Sequence, residues 1–215
     1  MCGRFTNRVN QKLLEAYFEV QPAVGFEHVP RYNIAPTQQI PIVRGNELTS
    51  VRWGLIPFWA KEAKVGATMI NARGETITEK RSFAKPFAER RCLVPADGYY
   101  EWQTSGKTKQ PYLFHLEDDG LFAFAGLWES NKEFGESCTI ITTSCNEQTA
   151  AYHDRMPVIL DKADWPIWLG QSSSKEQLLS LIKPASLDLL AICPVSTLVN
   201  SPRNQFAECV APLMI

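Results

Sequence analysis

The sequence predicts an α+β fold: one domain over residues 1–215, mostly an antiparallel twisted sheet with an open, barrel-like core and several short flanking helices. Apolar runs of strand length recur along the chain, bounded by Gly, Pro and Asn. The amphipathic stretches with helical spacing are few and short. No repeat, low-complexity tract or linker divides the chain, and 215 residues at 45% hydrophobic suffice for a full core.

The elements follow in order. Leu13, Leu14, Tyr17 and Phe18 share a helical face, with Thr6 or Asn7 as cap and Pro22 and Gly25 as the stop. Prolines at both ends fix Pro30–Pro36 as extended chain. Strands at 38–44 and 47–53 flank a Gly45-Asn46 hairpin. The aromatic loop Trp53–Trp59 reads as a core corner or as a stacking platform for bases. A short strand enters a turn over Thr68–Glu75, and a short helix is expected at 75–80. Strands at 91–95 and 99–103 flank an Asp97-Gly98 turn, and a Ser105-Gly106-Lys107 turn leads to strands at 111–116, 121–128 and 138–143. Residues 147–152 are expected to be helical. Asp161 is placed as cap of a helix holding Pro166, Trp165 and Trp168, and Ser174 as cap of another. The last strand is expected at 191–196.

Charge and cysteine use exclude several classes. Twenty-two basic against 23 acidic side chains leave no global field toward nucleic acid or membrane, so a polyanion site must be a local basic cluster. No apolar run approaches the ~20 residues of a membrane span, and no signal-peptide layout is present. A cytoplasmic or nuclear protein is expected. Cys2, Cys92, Cys138, Cys145, Cys193 and Cys209 lie far apart without metal-ligand spacing, so no zinc site is expected. Five of them sit among apolar residues as ordinary buried thiols; around Cys2 nothing resembles core.

That contrast makes Cys2 the leading candidate for chemistry. With Met1 removed, it carries an α-amine and a thiol on neighbouring carbons. The amine condenses with an aldehyde to an imine, and the thiol then closes a five-membered thiazolidine. Alternatively, the thiolate attacks a carbonyl with the amine as base. Equally, Cys2 is an incidental second residue. Glu101, between Tyr100 and Trp102, is either a buried carboxyl with raised pKa and acid/base capacity or the polar face of a strand. His153 precedes Asp154 and Arg155 at an element end, where a structural histidine is the competing reading. Asn71 is a hydrogen-bonding partner for a nucleophile or a turn asparagine. Arg81, Lys85, Arg90 and Arg91 form the densest basic stretch, ordinarily a solvated face.

Six ordered segments together resemble the SOS-response-associated peptidase (SRAP) family: Met1–Phe5, Arg31–Pro36, Trp53–Pro57, Ile70–Glu75, Ala96–Trp102 and His153–Pro157. The resemblance implies a sensor of abasic sites in single-stranded DNA that links itself covalently to the lesion. It implies Cys2 as the cross-linking residue, Asn71 as the group positioning its amine, and Glu101 and His153 as proton handlers. Arg4, Asn33, Arg73, Arg81 and Arg155 match positions that hold DNA backbone, and Pro36 and Trp59 match wedge and stacking residues. It implies no cofactor and no metal, a monomer, and self-modification without conventional turnover.

Two other readings compete. Glutamine amidotransferases also begin Met-Cys-Gly, which points to an N-terminal-cysteine amidohydrolase or peptidase, but no Gly-His-Thr-Arg-Trp-like segment is present. A non-covalent reader of modified DNA would use the 53–59 loop as its pocket.

Overall fold

A computed structural model describes residues 2–106, 108–187 and 189–213. Met1 and Lys107 of the turn 105–107 lie outside the described residues. Fourteen strands form two sheets. They are β1 (Phe5–Asn7), β2 (Gln21–Pro22), β3 (Arg31–Ile34), β4 (Gln39–Arg44), β5 (Glu47–Trp53), β6 (Asn71–Arg73) and β7 (Arg91–Ala96). The series continues with β8 (Gly98–Ser105), β9 (Thr108–Leu116), β10 (Phe122–Asn131), β11 (Gly135–Ser144), β12 (Arg155–Pro157), β13 (Ile159–Leu160) and β14 (Leu190–Pro194). The α-helices are α1 (Gln11–Phe18), α2 (Ala84–Glu89), α3 (Trp165–Leu169) and α4 (Lys175–Ser180).

The larger sheet runs β12-β11-β10-β7-β4-β5-β2, and β5 also pairs with β11 in parallel through Ser137↔Arg52 and Cys138↔Trp53. That pairing closes β4, β5, β11, β10 and β7 into a five-stranded barrel-like ring. The smaller sheet runs β14-β9-β8-β1-β3. The ring strands bury both faces. Ile40, Ile42, Cys92, Val94, Phe122 and Phe124 join a core with Phe5, Ile34 and Phe114 of the smaller sheet. Leu93, Ala123, Ala125 and Leu127 pack instead with Leu14, Phe18, Trp165, Trp168 and Leu178 of the helices. Covering both faces is why these segments read as continuous apolar runs rather than alternating ones.

Several local expectations need correction. Asn10, not Thr6 or Asn7, caps α1, its side chain accepting from Leu13 N at 3.0 Å. The helix stops at Glu19 in the left-handed region (φ 57°), before Pro22. The strands flanking the Asp97-Gly98 turn do not pair with each other, because β7 and β8 belong to different sheets. The helix expected at 75–80 is a 3-10 turn, Gly74–Thr76, and the helix of this region is α2, inside the basic stretch. Residues 147–152 form turns. Ser174 caps α4 through a capping box with Gln177, as expected.

Candidate active site

Cys2 reaches the site because β1 is locked beside β8, with Phe5 opposite Tyr99 and Thr6 opposite Gly98. Buried Asp97 is the lock. Its Oδ1 accepts from Thr6 Oγ1 at 2.5 Å, and its Oδ2 accepts from Arg8 N at 2.6 Å. Continuing that register brings the residues before Arg4 alongside Glu101 and Trp102. Cys2 is fully buried, in the same apolar cluster as Phe5 and Trp53. The sequence contrast between Cys2 and the other cysteines is therefore reversed: Cys2, Cys92, Cys138 and Cys209 are buried, whereas Cys145 and Cys193 are only half-buried. Asn71, the first residue of β6, donates from Nδ2 to Cys2 O at 2.8 Å. Among the described residues its buried Oδ1 has no hydrogen-bond partner.

Glu101 lies on β8 and His153 just before β12, and both line an open cavity of about 550 Å³ with Trp102, Thr104, Lys109, Tyr152 and Asn200. Burial pushes the Glu101 carboxyl up, while His153 pulls it down. Burial, reinforced by the Glu101 charge, pushes the Cys2 thiol far above the ordinary thiol range. His153 Nδ1 accepts from Arg155 N at 2.9 Å. Because that amide is a fixed donor, the neutral ring carries its proton on Nε2. The 2.7 Å approach of Asp154 Oδ1 to the same nitrogen becomes an ion pair only when the ring is protonated.

The expected DNA-facing residues fall into three groups. Arg155 and Arg73 flank the C-terminal end of β11, where Arg73 pairs with Thr142 and Arg155 with Ser144. Arg81 places its guanidinium 5.1 Å from the centre of the half-exposed Trp59 ring. Trp53, from the same aromatic loop, is instead core, its Nε1 donating to Ile70 O at 3.0 Å. Arg4 and Asn33 are committed inward. Arg4 donates to Asn33 Oδ1 at 2.7 Å and Val199 O at 2.6 Å, while Asn33 Nδ2 reaches the carbonyls of Val199, Ser201 and Asn204. Asn33 is wholly buried, so in this conformation its side chain holds protein backbone. Pro36 is half-exposed, next to Thr37 in the left-handed region at φ 72°.

The sequence model of the SOS response associated peptidase (SRAP) family matches residues 1–202. The chain belongs to this family. It is 44% identical to the abasic site processing protein YoqW of Bacillus subtilis over 98% of this chain and 99% of that protein. It is 35% identical to the abasic site processing protein HMCES of Gallus gallus, over 86% of this chain and 66% of that protein. A crystal structure of a Bacteroides thetaiotaomicron protein superposes with a TM-score of 0.89 at 28% identity, covering 99% of this chain and 100% of the other.

For this SRAP chain, the structure brings Cys2, Asn71, Glu101 and His153 to one place from four separate segments. Sequence reasoning missed Lys109, Thr104 and Asn200 around the cavity, and the partner of Arg155. Thr104 and Lys109 form a cross-strand pair that the turn at 105–107 already implied. Asn200 carried no signal, since it arrives on a 3-10 turn and accepts from Trp102 Nε1 at 2.7 Å.

Proposed function

We propose that this protein processes abasic sites in single-stranded DNA by cross-linking itself to the lesion through Cys2, once Met1 has been removed. The relatives named as abasic site processing proteins support the substrate. The observation that carries the chemistry is the meeting of Cys2 with Asn71, which donates to its carbonyl, and with Glu101, whose charge acts on its thiol and whose side chain lines the open cavity.

The lesion sugar must first open to its C1′ aldehyde, and Glu101, whose pKa burial raises, moves the proton from ring hydroxyl to ring oxygen. The α-amine of Cys2 attacks the aldehyde carbon, and the carbinolamine loses water to an imine. With an ordinary α-amino pKa near 8, about a tenth of the amine is neutral at pH 7. The Asn71 Oδ1, without a partner among the described residues, suits an N–H of that amine. The Cys2 sulfur then adds to the imine carbon. A carbon–sulfur bond forms, the S–H proton ends on the ring nitrogen, and a thiazolidine results. His153 Nε2–H donates to the sugar oxygen.

The raised thiol pKa favours this order over an amidohydrolase. A thiolate attacking first must be generated at a buried site, whereas an imine takes up a neutral thiol with concerted loss of its proton. Arg73, Arg81 and Arg155 serve as phosphate contacts, with Trp59 for stacking. The absence of base readout fits a lesion without a base.

The deciding experiment mixes the protein with an abasic single-stranded oligonucleotide and runs a denaturing gel. Wild type shifts, and Cys2→Ala and a variant retaining Met1 do not. A shift that survives Cys2→Ala removes Cys2 from the chemistry.

A further inference from the structure

Arg155 is the most fully engaged of the proposed phosphate contacts. Its Nη1 and Nη2 donate to Glu75 Oε1 and Oε2 at 2.5 and 2.8 Å, a bidentate pair. The same fork geometry binds two oxygens of a phosphate. On its other side Nη2 donates to Thr142 O at 2.8 Å and reaches Thr142 Oγ1 at 3.4 Å. The guanidinium is thus anchored by strand β11 independently of Glu75. Its side chain is 13% exposed, whereas that of Glu75 is 52% exposed. The fixed partner is the arginine, and the displaceable one is the carboxylate.

Glu75 itself is exposed. It sits on a single 3-10 turn directly after Arg73, so its charge lies between two of the proposed phosphate contacts. Arg155 first, and then Arg73, hold its carboxyl below the usual range.

We propose that Glu75 is a specificity residue: its carboxylate occupies the Arg155 fork as a stand-in for a DNA phosphate and lowers the affinity for undamaged strands. This rests on the phosphate-binding reading of the Arg73–Arg155 face. A passing undamaged strand must displace an ionised carboxylate to engage Arg155, and it gains nothing else. At a lesion, the covalent bond at Cys2 outlasts that competition. Glu75 therefore weakens the encounter without weakening the product.

The test measures binding of an undamaged single-stranded oligonucleotide by fluorescence anisotropy over a range of salt concentrations. Wild type is compared with Glu75→Gln, Arg73→Ala and Glu79→Gln. Glu79 is an exposed acid four residues on, so its change alters net charge equally. Glu75→Gln should tighten binding about five- to tenfold and steepen the slope of log K against log salt by about 0.7, one further phosphate contact. Glu79→Gln should leave the slope unchanged. Weaker binding or an unchanged slope for Glu75→Gln, with Arg73→Ala flattening the slope, overturns the inference alone and makes Glu75 a support for Arg155. Equal gains from both glutamine variants reduce it to bulk charge and overturn it too. If Arg73→Ala keeps the wild-type slope, the phosphate reading of this face fails, and the Glu75 inference with it.

Discussion

Glu101 shows how burial turns a common carboxylate into a proton carrier. Its raised pKa means that the folded chain binds its proton more tightly than the unfolded chain does. The stabilisation is fully present below the unfolded value near 4.5 and is lost as pH rises through the folded value. Glu101→Gln removes that dependence. Thermal unfolding from pH 4 to pH 8 should therefore show the variant gaining on wild type as pH rises. A gap that stays flat or narrows with pH refutes burial as the dominant cause. The same variant should cross-link slowly, since it cannot exchange a proton with the sugar.

At the scale of single elements, two contacts hold the ends of short pieces that propensity alone would not keep. Buried Arg91, at the start of β7, donates to Phe87 O and Ala88 O at the end of α2, both at 2.6 Å, and to Trp168 O and Gly170 O at the end of α3, at 2.7 and 2.6 Å. Helices of six and five residues are too short to persist in isolation. Arg91→Met leaves those carbonyls without donors and should cost roughly 3 kcal/mol in urea unfolding. A loss below about 1 kcal/mol would show that water replaces the guanidinium. Gly74, in the turn that carries Glu75, is the second such point. A Cβ there would run into Ile182 Cγ2 just beyond α4. Gly74→Val should destabilise by about 1–3 kcal/mol, and Ile182→Ala should restore part of it. Additive losses in the double variant would place the strain elsewhere.

Across the whole molecule, the cavity is completed by a segment from the far end of the sequence. Asn33 ties Val199, Ser201 and Asn204 to β3, and Gln205 Nε2 donates back to Asn33 O at 2.6 Å. Asn200, carried by that segment, lines the cavity beside Glu101. Asn33→Ala should cost about 2 kcal/mol and speed amide exchange over residues 197–205. Unchanged exchange there would mean that Arg4 and the apolar contacts of Val199 suffice. No helix among the described residues is long and apolar enough to cross a membrane.

The sequence by itself determined the longer strands but not β1, β2, β12 and β13, because runs such as Ile40–Val43 and Phe122–Leu127 bury whichever face they present. It determined the β4–β5 hairpin through Gly45-Asn46, and the membership of Cys2, Asn71, Glu101 and His153 in recognisable segments. Tertiary structure decided everything that depends on long-range pairing. The turn at Asp97 joins two sheets, the ring closes through only two residue pairs, Cys2 is core, Asn33 faces inward, and the fork of Arg155 is filled by Glu75. The physical reason is that local spacing sets which side of an element is apolar. Which distant backbone or charge meets its polar side is set by how the elements pack, and a partner 80 residues away leaves no periodic trace.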